Sequence, residues 1–422
     1  MGDKHVCAAC FSEADIADFV GSKTVVGYCS YCRKRSRKPI GAPMDEVLAF
    51  MAEGFSREYD SPANCMSWDD EEGKWAGRAT LDGYDLIDEI DVVNWQHRGA
   101  DELRKDLISA FCEQEYVRHD PYGLSVSEGL QYSWGQFCHT VKHETRFVLF
   151  KMRKRRTPRY DRDELIPVDV ILARIGKLVA EHGLVKDLPR RKELIRARQH
   201  QPSEKLTTVA ALGSAPSKWA SQSRMSAAGI SMFYGAADEK TAFLETFDAH
   251  NRRAKIMTFG RFLTARTLWI LDLSSLPLVP GIFNGSSSTD RQGIIFLRAL
   301  TSDISKPISR DGHEHYEYVP TQIFAEYFKR VLKVNRRSID GIAFRSSRPG
   351  ATISYCIFTG PEGCADDFRA KEAAKFSFSK KKRVLVLDQV QRRTVADCVR
   401  LYAEPATPPA ADLAALKAHL AP

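Results

Sequence analysis

The stretch Ile230-Ser231-Met232-Phe233-Tyr234-Gly235-Ala236-Ala237-Asp238-Glu239-Lys240-Thr241-Ala242-Phe243-Leu244-Glu245 decides the fold class. Its first part is apolar, follows Gly229 and ends at Gly235, which predicts a strand over Ile230–Tyr234. Asp238 then stands where a helix needs its first acceptor, predicting a capped helix to about His250. Strand followed by helix also describes the surroundings. Lys255–Phe259, Arg266–Leu273, Gly341–Phe344, Thr352–Phe358 and Arg383–Leu387 read as strands, and Pro320-Thr321 opens a helix through Phe328. Leu194–His200 is an extended, partly apolar segment. The expectation is an α+β domain with a mostly antiparallel sheet over 190–395, followed by an Ala/Pro-rich tail at 396–422.

Upstream the texture is helical. Pro167 opens a helix with Val168, Ile171, Leu172, Ile175 and Val179 on one face, and Gly183 ends it. With the basic run Lys151 to Arg159 before it, this forms a linker at 151–189. Residues 41–150 read as a helical domain. Val47 and Met51 lie one turn apart with Leu48 beside them, Leu103, Leu107 and Phe111 form a stripe beside Ala110, and Trp134 to Phe147 makes a further packed helix. The acidic region 69–92 reads as a long connection, and no internal repeat is found.

Residues 1–40 carry Cys7-x2-Cys10 and Cys29-x2-Cys32 with 18 residues between the pairs. Two tight turns that each present two thiolates suit one tetrahedral ion, so the spacing predicts a zinc ribbon. Four thiolates leave no open position, which makes the zinc structural; His5 is the alternative to Cys7. The other six cysteines, at 65, 112, 138, 356, 364 and 398, are single. The patch Arg33-Lys34-Arg35-Ser36-Arg37-Lys38 follows the knuckles and could touch nucleic acid, although such runs are more often solvated linkers.

Composition narrows the function classes. The 422 residues carry a net charge of +8, with 43% apolar and 27% charged residues, enough to build real cores. No apolar run approaches the ~20 residues of a membrane span. The start MGDKHVCAAC lacks a secretory apolar core, and Val6 breaks the myristoylation pattern. The expected location is therefore the cytoplasm. Without GxxxxGK[ST], HExxH, GxSxG or GxGxxG, the common phosphate-cradle and hydrolase readings have no foothold.

What remains is a set of polar residues at strand ends and turns. Arg196, Arg198 and His200 lie on the Leu194 segment, and Arg224 precedes the turn at Gly229. Tyr234 closes a strand, Glu245 lies on the capped helix, and Ser346 and Ser347 follow the Gly341 strand. Taken singly, Glu245 is a solvated helix carboxylate and Arg196 one cation among Arg190, Arg191, Lys192 and Arg198. Tyr234 is then a half-buried strand residue with a wet hydroxyl, and Ser346 a turn former.

In their order these blocks resemble the RES domain, found in many toxins of toxin–antitoxin systems. Arg196 matches the family's first arginine, Arg224 and Gly229 its arginine–turn–glycine block, Tyr234 its strand-end tyrosine, and Glu245 its helix glutamate. Ser346 matches its serine, with Ser347 the alternative. Met225-Ser226-Ala227 stands where the commoner form has Trp-Asn-Pro. Trp134, Phe137, Lys142-His143 and Arg146-Phe147 resemble the HEPN-type domain that precedes some RES domains, zinc-ribbon head included.

The resemblance implies an ADP-ribosyltransferase-like fold and an enzyme acting on NAD as substrate, cleaving the nicotinamide–ribose bond. Hydrolysis, phosphorolysis and ADP-ribosyl transfer all remain open. It further implies a toxin or defence effector held in check by an antitoxin or inhibitor protein, with a homo-oligomer as a further expectation. In that frame Arg196, Glu245 and Ser346 are the catalytic candidates, and Arg224, Tyr234 and Arg198 bind NAD, with His200 a helper. A second reading is a ribonuclease or a nucleic-acid or protein-binding module acting through the HEPN-like half. HEPN nucleases use Arg-x(4–6)-His, and here that spacing occurs only at Arg310 and His315, inside the α+β region. Arg146 with His143 and Arg118 with His119 are the spatial alternatives.

Overall fold

The computed structural model describes residues 3–77, 79–149, 165–285, 288–307, 314–366 and 383–402. The basic run Lys151 to Arg159, Arg310 and the tail beyond Tyr402 lie outside them. The described residues fall into two units. The first holds residues 3–130 and 278–296, and the second 131–149, 166–277 and the chain from Leu297 onward.

In the first unit a short pair of strands, β1 (His5–Cys7) and β2 (Gly41–Pro43), closes the cysteine-bearing loop. Between them lies α1 (Ala14–Ser22), whose first turn is capped by the Glu13 carboxylate accepting from Asp15 N. Then come α2 (Met44–Phe55), α3 (Gly83–Ile90) and α4 (Ala100–Phe111). The expected stripes are buried: Val47 and Met51 on α2, and Leu103, Leu107 and Phe111 on α4. They share one core with Val6, Ile16 and Val20, so the cysteine-bearing head is packed into the helices that follow it.

The acidic region 69–92 is not a bare connection. Trp68–Asp69 pairs with Lys74–Trp75, and α3 follows. Its acidity is helix chemistry: Asp82 accepts from Tyr84 N and Asp85 N while Asp85 reaches back to the Asp82 N–H, a reciprocal cap. Leu86 and Ile87 then supply the buried face.

Further along, α5 (Val126–His139) starts earlier than the stripe at Trp134 suggests, because Ser125 and Glu128 form a capping box. It ends earlier too. Thr140–Glu144 widens into a π turn, Arg146 donates back to the carbonyls of Val141 and Lys142, and Phe147 is 98% exposed rather than packed. Trp134 and Phe137 belong to the second unit, where their rings stack and Trp134 meets the edge of Phe324.

The second unit contains α6 (Ile171–Glu181) and a nine-stranded sheet. In chain order its strands are β3 (Val185–Leu188), β4 (Glu193–His200), β5 (Phe233–Ala236), β6 (Ile256–Thr264), β7 (Leu268–Asp272), β8 (Gly341–Arg345), β9 (Ile353–Ile357), β10 (Cys364–Ala365) and β11 (Leu385–Thr394). Helix α7 (Glu239–Thr246) follows β5, α8 (Ser288–Ser305) and α9 (Val319–Arg330) separate β7 from β8, and α10 (Val395–Tyr402) follows β11. The division between units falls within α5 and within α8.

Across the sheet the order is β10-β11-β6-β4-β5-β9-β8-β7-β3. All neighbours are antiparallel except β7 with β8 and β10 with β11, so the mostly antiparallel expectation holds. Strand alternation divides two cores. Leu194, Phe233, Phe262 and Tyr355 pack on one face, and Ile195, Ala197, Ala236 and Phe259 on the other, under α7 and α10. At the centre, β4 and β5 are paired at one position alone, Ile195↔Ala236. The sheet parts there.

The segment 278–296 lies inside the α+β stretch of the sequence yet contributes Ile282 and Phe283 to the first unit's core. Phe283 sits edge-on to Phe55, and a Cβ on Gly54 would lie 2.2 Å from its ring. Glycine to alanine in a helix ordinarily stabilises by about 0.5–1 kcal/mol. Gly54→Ala is expected to do the opposite, and a lowered denaturation midpoint checks it.

Candidate active site

On β4, Arg196 shares a face with Leu194 and reaches the place where β5 diverges. Its Nη1 donates to the Tyr234 carbonyl at 3.3 Å, and its guanidinium lies 5.2 Å from the Phe233 ring centre. Burial, helped by the neighbouring Arg198 charge, pulls the Arg196 guanidinium down to about 10. It is therefore still cationic at neutral pH, but poorly solvated.

Tyr234 is held by its hydroxyl. That oxygen accepts from Ser223 Oγ at 2.6 Å, lies 3.0 Å from Ser226 Oγ, and accepts from Met225 N at 3.3 Å. Burial, with Cys356 next to it, raises the phenol well above its usual range, so it stays protonated. The Ser223–Ser226 turn is itself fastened by α9. Gln322 Nε2 donates to the carbonyls of Ser223 and Ser226, and the Thr321 hydroxyl donates to that of Arg224. Gly229, at φ +83°, makes the left-handed bend that returns the chain toward β5.

Glu245 is placed by the cap of its helix. The Asp238 carboxylate accepts from Thr241 N and Oγ1 and also from the Thr352 hydroxyl, which joins the start of α7 to the entry of β9. Burial opposes ionisation of Asp238, but the bonds from Thr352 and Thr241 outweigh it and hold the carboxyl below its usual range. At the far end of α7, Glu245 Oε1 accepts from Ser346 Oγ at 2.6 Å and from Ser354 Oγ at 3.2 Å. Among the described residues Oε2 has no hydrogen bond. Ser346 Oγ also accepts from Arg348 N at 3.1 Å.

These groups converge on a cavity of about 720 Å³, within the size range of small-molecule sites. Arg196, Arg224, Tyr234, Glu245 and Ser354 line it, and of the two serines after β8 it is Ser347 that faces it while Ser346 holds Glu245. Arg224 lines the cavity too, but its Nη1 and Nη2 donate to the carbonyls of Ile304 and Lys306 at the end of α8. Arg198 is not in the lining. His200 is buried outside it, bonded to Thr258 Oγ1 and to the Gln201 carbonyl, and is structural.

Sequence reasoning passed over Ser354, whose signal was a lone hydroxyl within the apolar strand Thr352–Phe358. It also passed over the buried hydroxyl of Ser305 on the cavity wall, which has no partner among the described residues.

In the first unit, the sulfurs of Cys7, Cys10, Cys29 and Cys32 lie within 4.8 Å of one another. The closest separations are 3.5 Å for Cys7–Cys32 and 3.7 Å for both Cys7–Cys10 and Cys10–Cys29. A tetrahedron with metal–sulfur bonds of about 2.3 Å has edges of about 3.8 Å, whereas a disulfide needs about 2.05 Å. The set therefore could hold a metal ion. In the bare set, Cys29, Cys7 and burial push the Cys10 thiol far above the ordinary range. Cys29→Ser should abolish stoichiometric metal and remove about 3 kcal/mol or more of metal-linked stability. Metal analysis and thermal melts, with the exposed Cys112→Ser as control, test this.

The alternative nuclease pairs are engaged elsewhere. Arg146 caps the π turn, Arg118 lies 3.6 Å from Glu89, and His119 Nε2 is bonded to the Ser56 carbonyl. No described helix is long and apolar enough to cross a membrane.

No curated protein and no solved structure matches the chain. Two family models do. The one described as HEPN/RES N-terminal domain 1 covers residues 22–155, and the RES domain covers 193–379. The second range contains every residue that lines the cavity, while the first contains Cys29 and Cys32 but not Cys7 and Cys10. The chain carries a HEPN/RES N-terminal domain 1 followed by a RES domain.

Proposed function

We propose that the cavity of the RES domain binds NAD and breaks the bond between nicotinamide and ribose. A RES domain is consistent with NAD-related chemistry. The observation that carries the reading is a carboxylate, Glu245, fixed through one oxygen by Ser346 and Ser354 in a cavity whose other charged lining residues are arginines.

The chemistry needs that arrangement. When the bond breaks, its electron pair stays on the nicotinamide nitrogen and the ribose carbon takes on oxocarbenium character. A carboxylate already oriented by two hydroxyl donors stabilises that growing charge without reorganising, and its other oxygen is left to meet the sugar. The acceptor, whether water, phosphate or a group on a macromolecule, then bonds to that carbon and gives up a proton. Arg196, cationic and short of solvent, has strong reason to pair with a pyrophosphate. Arg224 supports the end of α8 and adds its charge to the same wall. Tyr234, with its hydroxyl locked in the Ser223 turn, offers a rigid wall to the substrate.

Zinc is the proposed ion of the four cysteines, since four thiolates at tetrahedral spacing suit it and a closed donor set makes it structural. A toxin or defence role, kept in check by a partner protein in the cytoplasm, follows from the same family resemblance.

Glu245→Gln is expected to lower kcat for nicotinamide release by about 10²–10³-fold with little change in KM. Chromatography of NAD reactions run with and without phosphate reads both the loss and the acceptor; NAD left intact by the native protein would overturn the proposal. Arg196 supplies a pH signature. As pH rises through about 10 the free protein loses that cation, so kcat/KM should fall there. A bound anion keeps Arg196 protonated, so kcat should hold to higher pH.

A further inference from the structure

The cavity carries more positive charge than NAD can use. Four guanidiniums line it, those of Arg196, Arg224, Arg345 and Arg348, against the single carboxylate of Glu245, a surplus of three positive charges. Among the described residues none of the four has a carboxylate partner. Elsewhere in the same unit the pattern is different: Arg261 pairs with Asp388, Arg266 with Asp340 and Arg393 with Glu239. The cavity wall thus gathers four guanidiniums around one carboxylate.

Their disposition divides the surplus. Arg196 lies at the parting of β4 and β5. Arg345 and Arg348 lie at the end of β8 and in the turn after it, and both are exposed. Arg345 uses Nε on the Ser274 carbonyl, and among the described residues its terminal nitrogens have no bond. Ser347, between them, also faces the cavity. Two guanidiniums and a hydroxyl of the lining thus fall within four consecutive residues, a donor set that suits a phosphate monoester.

NAD has two pyrophosphate charges offset by its pyridinium, about one net negative charge. A 2′-phosphate adds about −1.5 to −2 at neutral pH and brings the total near the cavity's surplus. Arginine is the residue that accommodates a 2′-phosphate in other dinucleotide sites.

Resting on the proposed reading of this cavity, we infer that the preferred substrate is the 2′-phosphorylated dinucleotide, NADP, with Arg345, Ser347 and Arg348 receiving the extra phosphate.

Binding separates this from the reaction itself. The full-length Glu245→Gln protein is titrated calorimetrically with NAD and with NADP at 0.15 M salt, where charges beyond about 8 Å are screened. NADP is expected to bind at least about tenfold more tightly, the factor given by one charge-assisted hydrogen bond. Arg348→Gln in the same background should shrink that ratio several-fold with an unchanged melting temperature, and Arg345→Gln is the second variant. Equal or weaker binding of NADP overturns the inference, as does a ratio that neither variant moves. Turnover of both dinucleotides by the native protein runs in parallel. NAD consumed while NADP binds no better would overturn the inference alone. NAD turnover accelerated by inorganic phosphate, with no preference for NADP, would also overturn it and give this donor set to the acceptor. Neither dinucleotide bound or consumed would overturn both readings.

Discussion

The Asp238 carboxylate is the joint on which the site turns. It caps α7 through Thr241 and takes the Thr352 hydroxyl at the entrance to β9. One group thereby sets both the start of the helix that carries Glu245 and the start of the strand that carries Ser354. Thr352 N also donates to Thr241 Oγ1, so the joint is closed from both sides. Helix rise then brings Glu245 to within 3.2 Å of Ser354, and the turn after β8 adds Ser346. A carboxylate held this way is in place before anything binds, which is what electrostatic stabilisation of a charged sugar requires.

The second constraint is the cost of the cations. A guanidinium withdrawn from water is destabilising unless hydrogen bonds or an anion compensate it. Arg224 is compensated by two carbonyls at the end of α8 and by the Tyr318 ring. Arg196 has one long bond and a ring. The difference separates a scaffold arginine from one whose compensation comes with a ligand. Cys356, fully buried beside Tyr234 and pushed by burial up to about 12, adds no charge of its own.

In the first unit the corresponding constraint is the cysteine set. Cys7, Cys10 and Cys29 are buried in the same core as Met44, Val47 and Phe111. A metal there would tie the head to the helices, and its loss would leave close-packed thiols within the apolar core. The Cys29→Ser effect is accordingly expected to spread beyond the knuckles.

What could be read from the chain alone was whatever depends on neighbours in sequence. The Asp238 cap, the extended segment Leu194–His200, the buried stripes of α2 and α4 and the CxxC spacing are short-range patterns, and each is present in the structure. The resemblance extended this to which arginine, tyrosine and glutamate to consider. Short-range signals also misled where acidic residues served as caps, as at Asp82 and Asp85, and where a helical stripe ran into a π turn at Thr140. Only the tertiary structure decided that Ser346 and Ser354 meet on one oxygen of Glu245 across separations of 101 and 109 residues. It also decided that Arg224 fastens a helix end, that Arg198 stays out of the cavity lining, and that 278–296 joins the first unit's core. The physical reason is common to all of these: such contacts depend on strand register and on which faces are brought together, and no local periodicity encodes either.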